Sequence, residues 1–233
     1  MSLRNRIIWL VVFSIAMGFL EAAVVVYLRE LYYPDGFAFP LVVLDPHVGL
    51  VEIGREAATI VMLVSLAMLA GQNFRQRLAF FLISFAVWDL FYYVFLKLTL
   101  DWPSSLLTWD ILFLIPAPWV GPVLSPIVIC FTMIGLAVMI LRMERDRNLF
   151  RLNRTQWLLL LSGSLVVVVT WMWDYLVLSG SLWASPKKAL GVLAHYTPTH
   201  FHWWAFALGE ALILFGIMAP YFRFKASRGM LPW

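Results

Sequence analysis

Residues 52–71 read EIGREAATIVMLVSLAMLAG. Most of this stretch is apolar enough for a bilayer, yet its first two helical turns carry Glu52, Arg55 and Glu56. A bilayer core of about 30 Å takes roughly 20 apolar residues at 1.5 Å each, so the segment spans only if those three groups lie near one membrane face. A charged side chain at mid-membrane costs about 2.5–3.5 kcal/mol on insertion scales, which is why such groups face the bundle interior and mark functional sites. The stretch therefore predicts a membrane helix that contributes to a polar site.

The rest of the chain agrees with the first inference. Of 233 residues, 63% are hydrophobic and only 13% charged, about half the charged share of a soluble domain. The longest polar interval is about a dozen residues, so the expected organisation is one integral-membrane domain over 1–233. The net charge of +4 is explained by topology rather than by nucleic acid, which is not an expected partner. Cys130 is the single cysteine, which excludes an intrachain disulfide and a multi-thiolate metal site. The first apolar segment is longer than a signal-peptide core and is read as a retained helix.

Six segments are long enough to cross: about 7–27, 48–70, 78–100, 120–141, 156–178 and 201–221. The predicted class is all-α, a polytopic bundle of six transmembrane helices. Between the third and fourth lies DWPSSLLTWDILFLIPAPWVGP, whose apolar part is too short to cross and is interrupted by prolines at 103, 116, 118 and 122. Residues 104–116 are expected to form a short interfacial or re-entrant element. Arginine and lysine counts orient the chain: twelve fall in the loops of one side, against Arg29, Lys187 and Lys188 on the other. Both termini are then cytoplasmic, in a multi-pass protein of the cell membrane, of bacterial inner-membrane type.

In that orientation Glu21, Glu52, Arg55, Glu56, Asp89, Lys97, Asp174, His200, His202 and Glu210 all fall in the outer half of five helices. Matching depth predicts a shared, partly hydrated cavity open to the outside, rimmed by 104–116, with Asp110 facing either the cavity or water. Six of these groups are acids against only Arg55 and Lys97, so some carboxyls stay protonated or a cation supplies the difference. The expected catalytic groups are Glu52, Glu56, Asp89, Asp174 and Glu210. Arg55, Tyr93, Trp173 and Trp203 are expected to contact substrate.

Each constellation has a structural alternative of comparable weight. Glu52, Arg55 and Glu56 share a helix face and equally fit an ion pair that sets helix register. Asp89, Tyr93 and Lys97 recur at intervals of four, as a proton relay or a structural ladder. Glu21, His200 and His202 form a ligand set for a divalent Fe, Mn or Zn ion. However, two histidines two residues apart diverge by about 200° on a helix, and an interfacial histidine pair accounts for them at least as well. The twelve tryptophans fit an aromatic belt, and also a pocket for a lipid, quinone or isoprenoid. The chain contains no Walker A loop, GxSxG, HExxH or paired aspartate-rich prenyl motif. Three functions fit the pattern. The first is an enzyme acting on an apolar or lipid-like small molecule by acid–base or metal-assisted chemistry. The second is a proton- or cation-coupled transporter, and the third a subunit that docks another membrane protein.

Overall fold

The computed structural model describes residues 1–42, 44–145, 152–180, 191 and 194–229, with side chains described except at 145 and 219–229. Among these residues six long helices form: α1 (Leu3–Tyr32), α2 (Pro46–Ala70), α3 (Phe74–Leu100), α4 (Leu124–Arg145), α5 (Arg154–Ser179) and α6 (Trp203–Gly229). The first five are long and apolar enough to cross a membrane, and Trp203–Met218 within α6 is a shorter apolar helix. Local chemistry sets their ends. Ser2, Asp45, Asn73 and Asn153 each accept a backbone N–H of the following turn, and Asn153 forms a reciprocal capping box with Gln156. Pro46 occupies the start of α2, where no N–H is needed. Gly180 closes α5 in the left-handed conformation, at φ 64°.

The segment expected as a short interfacial or re-entrant element departs from the all-helical reading. It forms an antiparallel hairpin of β1 (Trp109–Phe113) and β2 (Trp119–Pro122), with Asp110 opposite Gly121 and Ile111 opposite Val120. The reason lies in the sequence WDILFLIPAPWVGP: prolines 116, 118 and 122 block a helix, whereas the aromatic and β-branched residues between them suit strands. Val120 to Pro122 therefore belong to β2, and α4 starts at Leu124 rather than at the expected residue 120.

Helix α3 is central, packed against α1, α2 and α4, while α5 and α6 pair closely and join the rest through α4 and β2. Arg6 of α1 donates to Ala70 O at 2.8 Å and to Gln76 Oε1 at 3.0 Å, and Gln76 Nε2 donates to Glu144 Oε1 at 3.2 Å. These bonds gather the start of α1, the end of α2, the start of α3 and the end of α4 at one end, together with Arg4, Arg75, Arg77 and Arg142. Just above this basic end, Leu10, Ala67, Phe80, Ile83, Ala137 and Ile140 form a buried apolar cluster. The hairpin and residues 33–42 cover the opposite end.

Lipid tails are as apolar as leucine side chains, so helices in a membrane associate through close packing instead of a hydrophobic drive. The α5–α6 pair shows this. A Cβ placed on Gly163 would lie 2.6 Å from Gly209 O and 3.0 Å from Ile213 N, both fixed backbone atoms. Gly163→Ala is expected to force the helices apart and cost about 1–3 kcal/mol, measured as a lowered unfolding midpoint. Gly54→Ala, with open space around its Cα, is the control and should leave the midpoint unchanged or raise it.

Candidate functional site

Three helices and the hairpin surround a cavity of about 130 Å³ at the end away from the basic cluster, roomy enough for several waters or a ligand head. Helical spacing brings its walls together. Glu21, Val25, Leu28 and Arg29 share one face of α1; Glu52, Arg55 and Glu56 one face of α2; and Trp88, Asp89 and Tyr92 one face of α3. Asp110 to Leu114 of the hairpin and the apolar side chains Phe37, Leu41 and Leu44 complete it.

The carboxyls fall into three settings. Glu21 and Glu52 converge on Arg55, which donates through Nη1 to Glu21 Oε1 and through Nε to Glu52 Oε2 at 2.9 Å, with Nη2 on Glu52 Oε1 as a second prong. Thr59 Oγ1 donates to Glu21 Oε2 at 3.3 Å. This cluster joins α1 to α2.

Asp110 is a second case. Only 2% exposed, it pairs with Arg29 Nη2 at 3.3 Å and accepts from Tyr93 O–H at 3.2 Å. The Arg29 guanidinium, itself 6% exposed, lies 3.7 Å from the Trp102 ring centre and 4.4 Å from that of Phe37, an arrangement that favours a desolvated cation. Burial pushes the Asp110 carboxyl up to about 6, outweighing Arg29, the Tyr93 hydroxyl and the Ile111 N–H, which all pull it down. A native value above the ordinary 3.8 means that the folded state binds the extra proton in the window between them. The stability this group contributes is therefore greatest below that window and falls as pH rises through it. The unfolding midpoint should fall between about pH 4 and about pH 6, and Asp110→Asn should flatten that slope.

Glu56 and Asp89 form the third setting. Glu56 is 6% exposed and accepts the Leu114 N–H through Oε2 at 2.8 Å, satisfying a backbone donor at the end of β1. Asp89 Oδ2 accepts from Cys130 Sγ at 3.2 Å. Among the described residues neither carboxyl has a cationic partner, and each keeps one oxygen without a hydrogen bond. Across the whole cavity wall, five carboxyls face two guanidiniums.

The remaining expected site residues lie elsewhere. Lys97 is half exposed and bonds Asp101 Oδ1 at 2.7 Å and Pro103 O at 3.2 Å, so it is no counter-charge for the cavity. The expected Asp89–Tyr93–Lys97 stripe is thus split three ways, with Tyr93 reaching the cavity only through Asp110. Asp174 Oδ2 accepts from Tyr196 O–H. Glu210 Oε1 accepts from Thr132 O–H between α4 and α6, leaving Oε2 buried without a partner among the described residues. The His202 ring meets Trp173 edge-on at 5.6 Å, Trp203 packs on Phe201 at 4.7 Å, and His200 is exposed. Of the outer acids, Glu21, Glu52, Glu56 and Asp89 line the cavity, whereas Asp174 on α5 bonds Tyr196 and Glu210 lies between α4 and α6. Glu21, His200 and His202 are not brought together, and among the described residues no group of three His, Cys, Asp or Glu side chains is arranged to hold a metal ion.

The sequence reading passed over Arg29, placing it in an outer loop. Its signal was present: it lies eight residues after Glu21, with Val25 midway, on one helical stripe. Comparison with protein-family models, with curated proteins and with solved structures returns no match for this chain, so its functional reading rests on these residues.

Proposed function

We propose that the chain is a multi-pass membrane enzyme that performs acid–base chemistry on an apolar or lipid-like molecule in this cavity. The cavity opens on the outer side, and the basic end faces the cytoplasm, as the positive-inside rule requires. The observation that carries the reading is the split between the carboxyls. Glu21 and Glu52 are held by Arg55, whereas Glu56 and Asp89 line the same cavity without forming an ion pair among the described residues. Proton transfer needs carboxyls that no ion pair holds in the ionised form. Here Glu56 and Asp89 are the proton-transferring groups, Arg55 holds Glu21 and Glu52 in place, and the apolar walls of α1 and the hairpin receive the substrate.

Transport is less well supported, because it needs a polar route to the opposite face. Beneath the cavity Leu63 and Phe80 are fully buried in apolar packing and Ile83 and Val87 nearly so. Metal-assisted chemistry lacks a ligand cluster among the described residues.

The test is to reconstitute purified protein with a total lipid extract and follow the extract by untargeted mass spectrometry. The expected result is a species whose amount changes with wild-type protein but not with Glu56→Gln or Asp89→Asn. Conversion that survives in both variants would overturn the assignment of these two groups.

A further inference from the structure

The cavity wall also specifies the polarity of what it binds, an inference that rests on the cavity being a substrate site. Its five carboxyls exceed its two guanidiniums by three, and each guanidinium is already engaged: Arg55 by Glu21 and Glu52, and Arg29 by Asp110. An anionic head placed here would oppose ionisation of these carboxyls, and in a low-dielectric site like charges at close quarters are strongly unfavourable.

A second, independent feature is the presence of orphaned donors. Trp88 is 5% exposed and lines the cavity, yet among the described residues its Nε1–H is buried without an acceptor, and so is Nη1 of Arg29. Buried donors of this kind are rare in folded proteins unless a water or ligand completes them. The residues of the wall therefore carry free carboxyl oxygens on Glu56 and Asp89 and unmet, buried N–H groups on Trp88 and Arg29.

We propose that the substrate is an amphiphile whose head carries an ammonium group next to an oxygen acceptor, an amino alcohol in the simplest form. The ammonium N–H groups donate to Glu56 and Asp89, the oxygen accepts from the orphaned donors, and the chain runs along the apolar wall of α1 and the hairpin. The cation also favours the ionised form of the two carboxyls.

Radiolabelled N-dodecylethanolamine tests this by equilibrium binding to the protein in nanodiscs of zwitterionic lipid, with dodecyl phosphate and dodecanol as competitors. Saturable binding is expected, weakened about tenfold or more by Glu56→Gln and by Asp89→Asn, since each loses a charge-assisted bond. The two variants sit on different helices, so misfolding of one leaves the other as a test. Dodecyl phosphate and dodecanol should compete poorly. The proposal is overturned by an absence of saturable binding, by unchanged affinity in both variants, or by equal competition from dodecyl phosphate. Binding of the amine without any lipid conversion would sink the enzyme reading while leaving the ligand class standing; conversion without amine binding would do the reverse.

Discussion

Replacing Arg55 with methionine should destabilise the protein by about 3–5 kcal/mol, the range found when one partner of a buried ion pair is removed. The side chains of Arg55, Glu21 and Glu52 are 19%, 11% and 13% exposed, so the two glutamates would be left with little water and no counter-charge. Through Arg55, Glu21 of α1 is tied to α2, and the loss should appear as separation of these helices. The triple variant Arg55→Met, Glu21→Gln, Glu52→Gln should recover most of the stability, because it removes the stranded charges as well as the cation. Unfolding in mixed micelles measures both. A loss below about 1 kcal/mol for the single variant, typical of exposed pairs, would mean that the glutamates are hydrated and the cluster is not structural.

Glu56→Gln should behave in the opposite way, sparing stability and abolishing chemistry. The glutamine carbonyl still accepts the Leu114 N–H that Glu56 Oε2 accepts at 2.8 Å, so the hairpin stays docked. Its amide cannot exchange a proton at neutral pH, and positioned acid–base groups contribute about 10²–10⁴ in rate. Lipid conversion should therefore fall by about two orders of magnitude or more in Glu56→Gln, and similarly in Asp89→Asn. A variant with normal turnover would reduce Glu56 to a cap for a strand amide, which is the strongest structural account of its burial.

The sequence carried the helices well because hydrophobic length is a one-dimensional property. Five of the six expected spans coincide with helices long and apolar enough to cross, and the sixth with an apolar helix from Trp203. Glu52, Arg55 and Glu56, the charges near one end of 52–71, line a cavity together with Glu21 and Asp89. What depth alone left open was azimuth. Asp174 and Glu210 share the outer half with the cavity acids, but α5 and α6 pack on each other and on α4, which turns those acids away. The hairpin was legible as an interruption, through its prolines, but not as a pair of strands, since its register depends on the bend between Ile111 and Phe113. Arg29 was missed because burial of an arginine at a helix end depends on partners more than seventy residues away in sequence, Trp102 and Asp110.

Accessibility of single cysteines tests the central arrangement most directly. The native Cys130 is only 1% exposed, and its replacement by serine keeps a donor to Asp89. In a Cys130→Ser background, since Cys130 Sγ lies 3.2 Å from Asp89 Oδ2, Glu56→Cys and Asp89→Cys should react with a charged, membrane-impermeant thiol reagent applied to the outer face of intact cells. Val61→Cys on the same helix as Glu56, with Val61 63% exposed on the bundle perimeter, should not. Inert cysteines at 56 and 89, or labelling of either only from the cytoplasmic face, would contradict a carboxyl-lined cavity open to the outside.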